Sequence, residues 1–332
     1  MSDLTENSSR TGQRPGVSVI LPILNEERFL ADAINAILAQ KYLGPLEIIL
    51  ALGPSKDKTN EIAADIARSS SQVVFLQNPS GRTAAALNAA IAKARYDIIC
   101  RIDGHAEISP TYIDHAVDVL EKTGAVNVGG VMAAVGQNAF ERAVATAMRS
   151  PLGVGAARFH TGGDAGPADT VYLGVFKKDK LEAVGGFDER FTRAQDWELN
   201  FRLRAAGGII WFDPELVVTY RPRPNLRALA KQYFEYGRWR RAVSRSHKGT
   251  ISFRYLAPPV TVSISVLSII LGATLNPVCY LPFGLYILGN LVGSLVIGKT
   301  VQEKITLPAV LATMHFSWGW GFLTSPKNLV SK

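Results

Sequence analysis

Asp97-Ile-Ile-Cys-Arg-Ile-Asp103-Gly-His105 is an apolar run that ends on a carboxylate and a histidine. Strands of a parallel sheet are buried on both faces and read as near-continuous apolar runs, and such sheets bind ligands just beyond the strands' carboxyl ends. Asp103 and His105 stand at that position. The same rhythm recurs on either side. Residues 17–21 form an apolar run stopped by Pro22, and Phe29, Leu30, Ala33, Ile34, Ile37 and Leu38 then follow at helical spacing, with Asn25 placed to cap that helix. Strands over 46–51 and 73–76 alternate with helices over 59–68 and 83–94, and a further helix covers 112–121. This alternation predicts an α/β fold built on a Rossmann-like, mostly parallel sheet covered on both faces. Pro22, Asn25, Gly53, Asp57, Asp103 and His105 all fall just after a strand.

A second carboxylate, Asp196 in Thr192-Arg-Ala-Gln-Asp196-Trp-Glu198, completes a chemical pairing with Asp103. A carboxylate past a strand can hold a metal diphosphate, and another can take a proton from an attacking hydroxyl. The pair suggests sugar transfer from a nucleotide-sugar. Simpler roles stand beside these. Asp103 could cap the helix after Pro110, although it lies several residues too early, and His105 could be a hydrogen-bonded loop residue. Asp196 and Asp57 could be N-caps of the helices that follow them. Arg82 could be a solvated surface arginine.

The 332 residues are 47% hydrophobic, with a formal charge of +8 that is unevenly spread. Residues 221–254 contain ten Lys or Arg and the single acid Glu235. A basic block beside apolar segments, with no nucleic-acid motif, reads as a membrane-surface patch and excludes a nucleic-acid partner. Within it, residues 225–246 carry an apolar stripe with Arg227, Lys231, Arg238 and Arg241 off it, as in a helix lying in the membrane interface; Arg238 and Trp239 could anchor it there. Three charge-poor stretches follow, at 256–275, 277–297 and 305–324, each about the length that crosses a hydrocarbon core. The third contains Pro308, His315, Gly319 and Gly321 and also fits a re-entrant or interfacial segment. The basic block precedes the first stretch, and Lys299 and Lys304 lie between the second and third, so the positive-inside rule puts the catalytic domain on the cytoplasmic face of a multi-pass inner-membrane protein. The cysteines, Cys100 and Cys279, form no disulfide framework. Residues 1–16 read as a disordered tail and 153–166 as a mobile, Gly/Ala-rich loop near the acceptor side. The resulting division is tail 1–16, catalytic domain 17–224, basic interface helix region 225–255 and membrane region 256–332.

These residues together resemble the bacterial family-2 glycosyltransferases of the GT-A fold, particularly the membrane-attached kind that extends lipid-linked exopolysaccharide precursors such as succinoglycan. The resemblance covers roughly residues 17–247. It rests on Leu21-Pro22-Ile-Leu-Asn25-Glu26, Gly53-Pro-Ser-Lys-Asp57-Lys-Thr59, and Asn78-Pro-Ser-Gly81-Arg82 leading to Leu87-Asn88. It rests also on Arg101-Ile-Asp103-Gly-His105, Val184-Gly-Gly-Phe-Asp188-Glu189, Gln195-Asp196-Trp-Glu198 and Gln232-Tyr-Phe-Glu-Tyr-Gly-Arg238-Trp239. It implies a nucleotide-sugar donor, first of all a UDP-sugar, bound by Pro22, Asn25, Glu26, Asp57, Arg82, Arg101 and Asp103. It implies a divalent cation, Mn2+ or Mg2+, on Asp103 and His105, and Asp196 as the base of an inverting transfer. It places a lipid-linked saccharide acceptor near Gln195, Gln232, Arg238 and Trp239. Three departures qualify it: Leu52 stands where the family has a base-contacting Asp, His105 where the metal motif has a second Asp, and Gln195-Asp196 where an acidic pair is common. Two other readings stay open, a synthase that charges polyprenyl phosphate and a non-catalytic nucleotide-sugar-binding membrane scaffold.

Overall fold

A computed structural model describes residues 14–330. The expected tail therefore lies outside the described residues up to residue 13. Its last three positions are not tail. Arg14 pairs with Asp114 and Asp118, the Tyr42 hydroxyl donates to the Pro15 carbonyl, and Gly16 packs against the Tyr96 ring.

The chain opens with β1 (Val17–Ile23), α1 (Leu30–Leu38), β2 (Leu46–Leu52), α2 (Thr59–Ser69), β3 (Val73–Gln77), α3 (Thr83–Lys93) and β4 (Ile98–Arg101). There follow β5 (Glu107–Ile108), α4 (Tyr112–Thr123), β6 (Asn127–Ala134), α5 (Ala139–Met148), α6 (Pro151–Val154), α7 (Arg158–Thr161), β7 (Gly166–Pro167), β8 (Tyr172–Lys177) and α8 (Lys178–Ala183). The rest is α9 (Gln195–Ala205), β9 (Ile210–Tyr220), α10 (Leu226–Ser246), α11 (Phe253–Thr274), α12 (Leu281–Ile297) and α13 (Val301–Leu323).

All described strands join one mixed sheet in the order β3-β2-β1-β4-β8-β6-β9-β5, with β7 also on β9. β1 to β4 pair in parallel, β8 runs antiparallel to β4 and β6, and β6 and β9 are again parallel. The carboxyl ends of β1, β2, β4, β6 and β9 thus face the same edge. Two cores explain the apolar runs. Leu30, Ile34 and Ile37 of α1 pack with Ile113, Val117 and Leu120 of α4 on one face; Leu87 and Ile91 of α3 pack with Leu199 and Leu203 of α9 on the other. Strands covered on both sides need no polar alternation.

The expectation that Asn25 caps α1 fails. The cap position is Phe29, without a side-chain bond, and Asn25 instead adopts φ +57 in the preceding loop. Segment 153–166 also differs from a loosely tethered loop: it holds the end of α6, which Ser150 caps, and all of α7, and Arg158 binds the Asp164 and Pro167 carbonyls.

Among the described residues two helices are long and apolar enough to cross a membrane, residues 253–274 and 277–297, of mean hydropathy 1.9 and 1.6. They form a hairpin whose turn is capped by Asn276 and fixed by Ser268, which accepts from Phe283 N and donates to the Cys279 carbonyl. The third apolar segment is not a comparable span. α13 buries Leu307, Val310, Leu311 and Met314 with residues of α5 and α10. Gly237 of α10 meets the Trp318 carbonyl and Gly321 of α13 meets that of Phe234, so the two backbones touch. α13 is thus a layer between the sheet domain and the hairpin.

Candidate active site

β4 ends on Arg101, whose side chain is only 4% exposed. Its Nε and Nη2 donate to Oδ1 of Asp103 at 3.2 and 3.1 Å, and its Nη1 donates to Oδ1 of Asp196. The two carboxylates, far apart in sequence, therefore meet on one guanidinium. They remain 21% and 31% exposed, so a ligand can reach both from above the buried cation. Burial opposes the charge on Arg101, but Asp103 and Asp196 outweigh it and hold its pKa above the usual value. Burial raises the Asp196 pKa, with Asp103 adding to the rise and Arg101 opposing it.

Asp196 lies in the first turn of α9, not at its cap. That position belongs to Ala194, at φ +59 with no side-chain bond, which excludes the N-cap role for Asp196. The helix N-terminus favours its negative charge. Asp103 caps no helix either.

His105 Nδ1 is 2.8 Å from Glu26 Oε1, and this bond raises the histidine's pKa against the effect of burial. A Cβ on the intervening Gly104 would meet Ile23 Cδ1 at 2.8 Å and Glu26 Cγ at 3.1 Å, so the residue after Asp103 has to be small for the β4 loop to rest on the β1 end. The loops after β1 and β2 are tied together as well. Asn25 N donates to Ser55 Oγ and Asn25 Oδ1 accepts from Lys56 N; Glu26 N donates to Thr59 Oγ1. Asp57 accepts from the Thr59 hydroxyl and amide and from Glu27 N, bonds that lower its pKa, the Thr59 hydroxyl first. The cap position of α2 is Lys58, and Asp57, one residue earlier, bonds the first amide of the helix and ties it to the loop after β1. Pro22 is the penultimate residue of β1, opposite Ala51, so the strand runs past the proline to Ile23.

The remaining sequence candidates are dispersed. Arg82 is exposed at the start of α3 and has no ion pair among the described residues. Gln195 is buried as the first residue of α9. Gln232 donates to the Tyr220 and Tyr236 hydroxyls, and Arg238 pairs with Glu235. Trp239 is not an exposed interface anchor: its indole is buried against Phe191. Two residues escaped the sequence reading. Arg223 acts electrostatically on both His105 and Tyr236, and Arg193 acts on Tyr236. The available signal was position, Arg223 three residues after β9 and Arg193 three residues before Asp196.

Comparison with known proteins decides the family. The model of "Glycosyl transferase family 2" matches residues 18–185. The chain belongs to glycosyl transferase family 2. Across 310 residues, 92% of this chain and 93% of the relative, it is 32% identical to "Succinoglycan biosynthesis protein ExoA" of Rhizobium meliloti (strain 1021). It is 23% identical over 92% of its length, and 95% of the relative's, to a Methanococcus voltae protein named dolichyl N-acetyl-alpha-D-glucosaminyl phosphate 3-beta-D-2,3-diacetamido-2,3-dideoxy-beta-D-glucuronosyltransferase. Among solved structures it resembles the mannosyltransferase PcManGT of Pyrobaculum calidifontis, described in complex with GDP-Man and Mn2+, at TM-score 0.59 and 17% identity, covering 96% of this chain and 91% of that one. That likeness establishes the GT-A-like fold. The protein is therefore a glycosyltransferase with its Arg101-bridged acids at the sheet's carboxyl edge.

Among the described residues no three His, Cys, Asp or Glu side chains group into a metal cage. The donor set still suits a divalent cation. Asp103 offers a carboxylate oxygen and His105 an imidazole, a mixed set compatible with manganese, and such ions commonly take one or two protein ligands and complete their shell with substrate phosphates and water.

Proposed function

We propose that this glycosyltransferase moves a hexose from a nucleotide-diphosphate sugar to a polyprenyl-diphosphate-linked saccharide, with inversion, in bacterial exopolysaccharide assembly. The observation that carries the proposal is the convergence of Asp103 and Asp196 on Arg101. It supplies both halves of the chemistry in one crevice, a carboxylate for the diphosphate end and a carboxylate for the hydroxyl. The near full-length similarity to a succinoglycan biosynthesis protein supports the pathway class, and the lipid-phosphate sugar named for the archaeal relative supports a lipid-linked acceptor.

In this reading Asp196 accepts the acceptor hydroxyl's proton while that oxygen attacks the anomeric carbon. The new carbon–oxygen bond forms on the face opposite the breaking bond to the diphosphate, and the nucleoside diphosphate leaves. An α-linked donor then yields a β-linked product. Burial raises the Asp196 pKa, which improves a carboxylate as a base, while Arg101 keeps it ionised and holds it toward Asp103. Asp103 and His105 would hold the divalent cation, whose chemistry is to neutralise charge on the leaving diphosphate. Arg82, exposed at the start of α3 and without an ion pair among the described residues, is the candidate for the donor diphosphate. Arg193 and Arg223 border the opposite side. The crevice opens at the cytoplasmic face of the inner membrane, where the basic α10 and the apolar hairpin hold it.

Asp196→Asn tests the base. Donor binding is retained while transfer falls by about a thousandfold or more; turnover near that of the parent removes Asp196 from this role. Activity in excess EDTA tests the cation, and an undiminished rate rejects it. Mild hydrolysis of the labelled lipid product identifies the acceptor: a glycan longer by one residue fits the proposal, a single sugar on one phosphate does not.

A further inference from the structure

We propose a second ligand site, for a phosphate or diphosphate group, in the arginine-lined cavity between α7, α9 and the first turn of α11. The cavity is about 380 Å3, and Arg158, Arg204 and Arg254 line it together with Asp169 and Thr170. Its charges do not balance. Asp169 is the one carboxylate in the lining, 70% exposed and 3.6 Å from Arg204. Arg158 spends its donors on the uncharged Asp164 and Pro167 carbonyls, and Arg254 donates to the Tyr255 hydroxyl.

A fourth guanidinium backs the cavity. Arg240 is 6% exposed and sandwiched between the Trp197 ring at 3.6 Å and the Tyr255 ring at 3.7 Å, and Arg254 stacks on the same Tyr255 at 4.7 Å. Arg240 donates through Nη2 to the Thr250 carbonyl, but its Nε and Nη1 are buried with no partner, as are Arg204 Nε and Trp197 Nε1. Three guanidiniums in the lining and a fourth buried behind them, set against one largely exposed carboxylate, leave an excess of positive charge that suits a multiply charged anion. Burial first, and then Arg254, pull the His160 pKa down to about 3, while Arg240 falls to about 10, again through burial first.

The location fixes the class of ligand. Arg254 is the second residue of α11, a helix apolar enough to cross a membrane, so the cavity lies where a phosphate headgroup at the bilayer surface, or a free diphosphate, would arrive. It is separate from the Arg101 crevice but mechanically linked to it, because Trp197, which stacks on Arg240, follows Asp196 directly in α9. The reading needs the membrane placement only for its lipid arm.

The test uses the full chain with EDTA present, which silences the cation-dependent donor site. In detergent, thermal unfolding is followed against inorganic pyrophosphate. In nanodiscs, it is compared between phosphatidylcholine alone and phosphatidylcholine with phosphatidylglycerol. The wild-type protein is stabilised saturably in at least one arm, and Arg204→Gln and Arg254→Gln each weaken that response on the order of tenfold. A response to pyrophosphate alone identifies a free diphosphate, and a response to phosphatidylglycerol identifies a headgroup. Wild type and variants responding alike, or no response in either arm, overturns the site. Cation-dependent donor binding, measured separately on the same variants, stays unchanged and certifies that they are folded; its loss in the wild type would instead count against the function proposed above.

Discussion

Arg101 is the residue on which the crevice depends, because it alone joins the acid after β4 to the acid that opens α9. Arg101→Met leaves two carboxylates facing each other without a cation. Breaking a buried pair costs several kcal/mol, and partial water access to both acids reduces that here to about 2 kcal/mol, measurable as a lower denaturation midpoint. Arg101→Lys keeps the charge but loses the fork that serves two acids, so it recovers more stability than activity. The pH profile follows from the same geometry. The base must be ionised and its pKa is raised, so the acidic limb of kcat inflects above the 3.8 of an ordinary aspartate. Arg101 lowers that pKa, so its removal moves the limb to still higher pH; a limb that stays put would dissociate Arg101 from Asp196. Asp103 was legible in the sequence from residue type and position after an apolar run, and Asp196 through the family resemblance of its motif. The bridge was not, since an arginine at a strand end looks solvated until α9 folds over it. Trp239 was ambiguous for the converse reason: an indole suits an interface, a ligand or a core equally, and the fold buries this one against Phe191.

At the scale of elements, the strands and helices of residues 17–123 were legible because their apolar periods are unmixed and turn residues separate them. α13 was not. Its apolar surface contacts protein, and protein and lipid select the same side chains, so its composition alone could not tell a span from a packing layer. The discriminating feature is the pair of close glycines. A Cβ at Gly237 would lie 2.0 Å from the Trp318 carbonyl oxygen, and one at Gly321 would lie 2.1 Å from that of Phe234. Backbone cannot swing aside as a side chain can. Gly321→Ala therefore forces α10 and α13 apart and destabilises by about 1–3 kcal/mol or more, seen as earlier thermal unfolding in detergent and faster proteolysis near α10. Gly284→Ala in α12 is the matched control. A Cβ there meets nothing within 4 Å, so the better helix former is neutral or slightly stabilising. Equal behaviour of the two variants would mean that α13 does not pack on α10 in the native protein.

For the whole molecule, the decisive surface is that of the hairpin. Leu267, Ile270, Leu285 and Leu288 are each more than half exposed, and only 22% and 6% of its two most apolar windows are buried inside the protein. A contiguous apolar surface of that kind would drive association in water, whereas lipid covers it without cost. The charges then orient it. Arg and Lys precede α11 and flank the α12–α13 junction, while the turn around Asn276 carries none, so the positive-inside rule predicts that both open ends of the hairpin lie on the cytoplasmic side and the turn on the far side. Leu275, 75% exposed at that turn, is the position to probe. In a Cys279→Ser background, Leu275→Cys is labelled by a membrane-impermeant maleimide added to intact spheroplasts, and Lys248→Cys only after the membrane is opened. Cys100 stays silent in both because it is fully buried. Labelling of both positions from outside would put the crevice on the wrong side for cytoplasmic nucleotide-sugars. Protection of both until lysis would mean that the hairpin dips into one leaflet and returns, keeping the orientation of the catalytic domain but giving up the crossing.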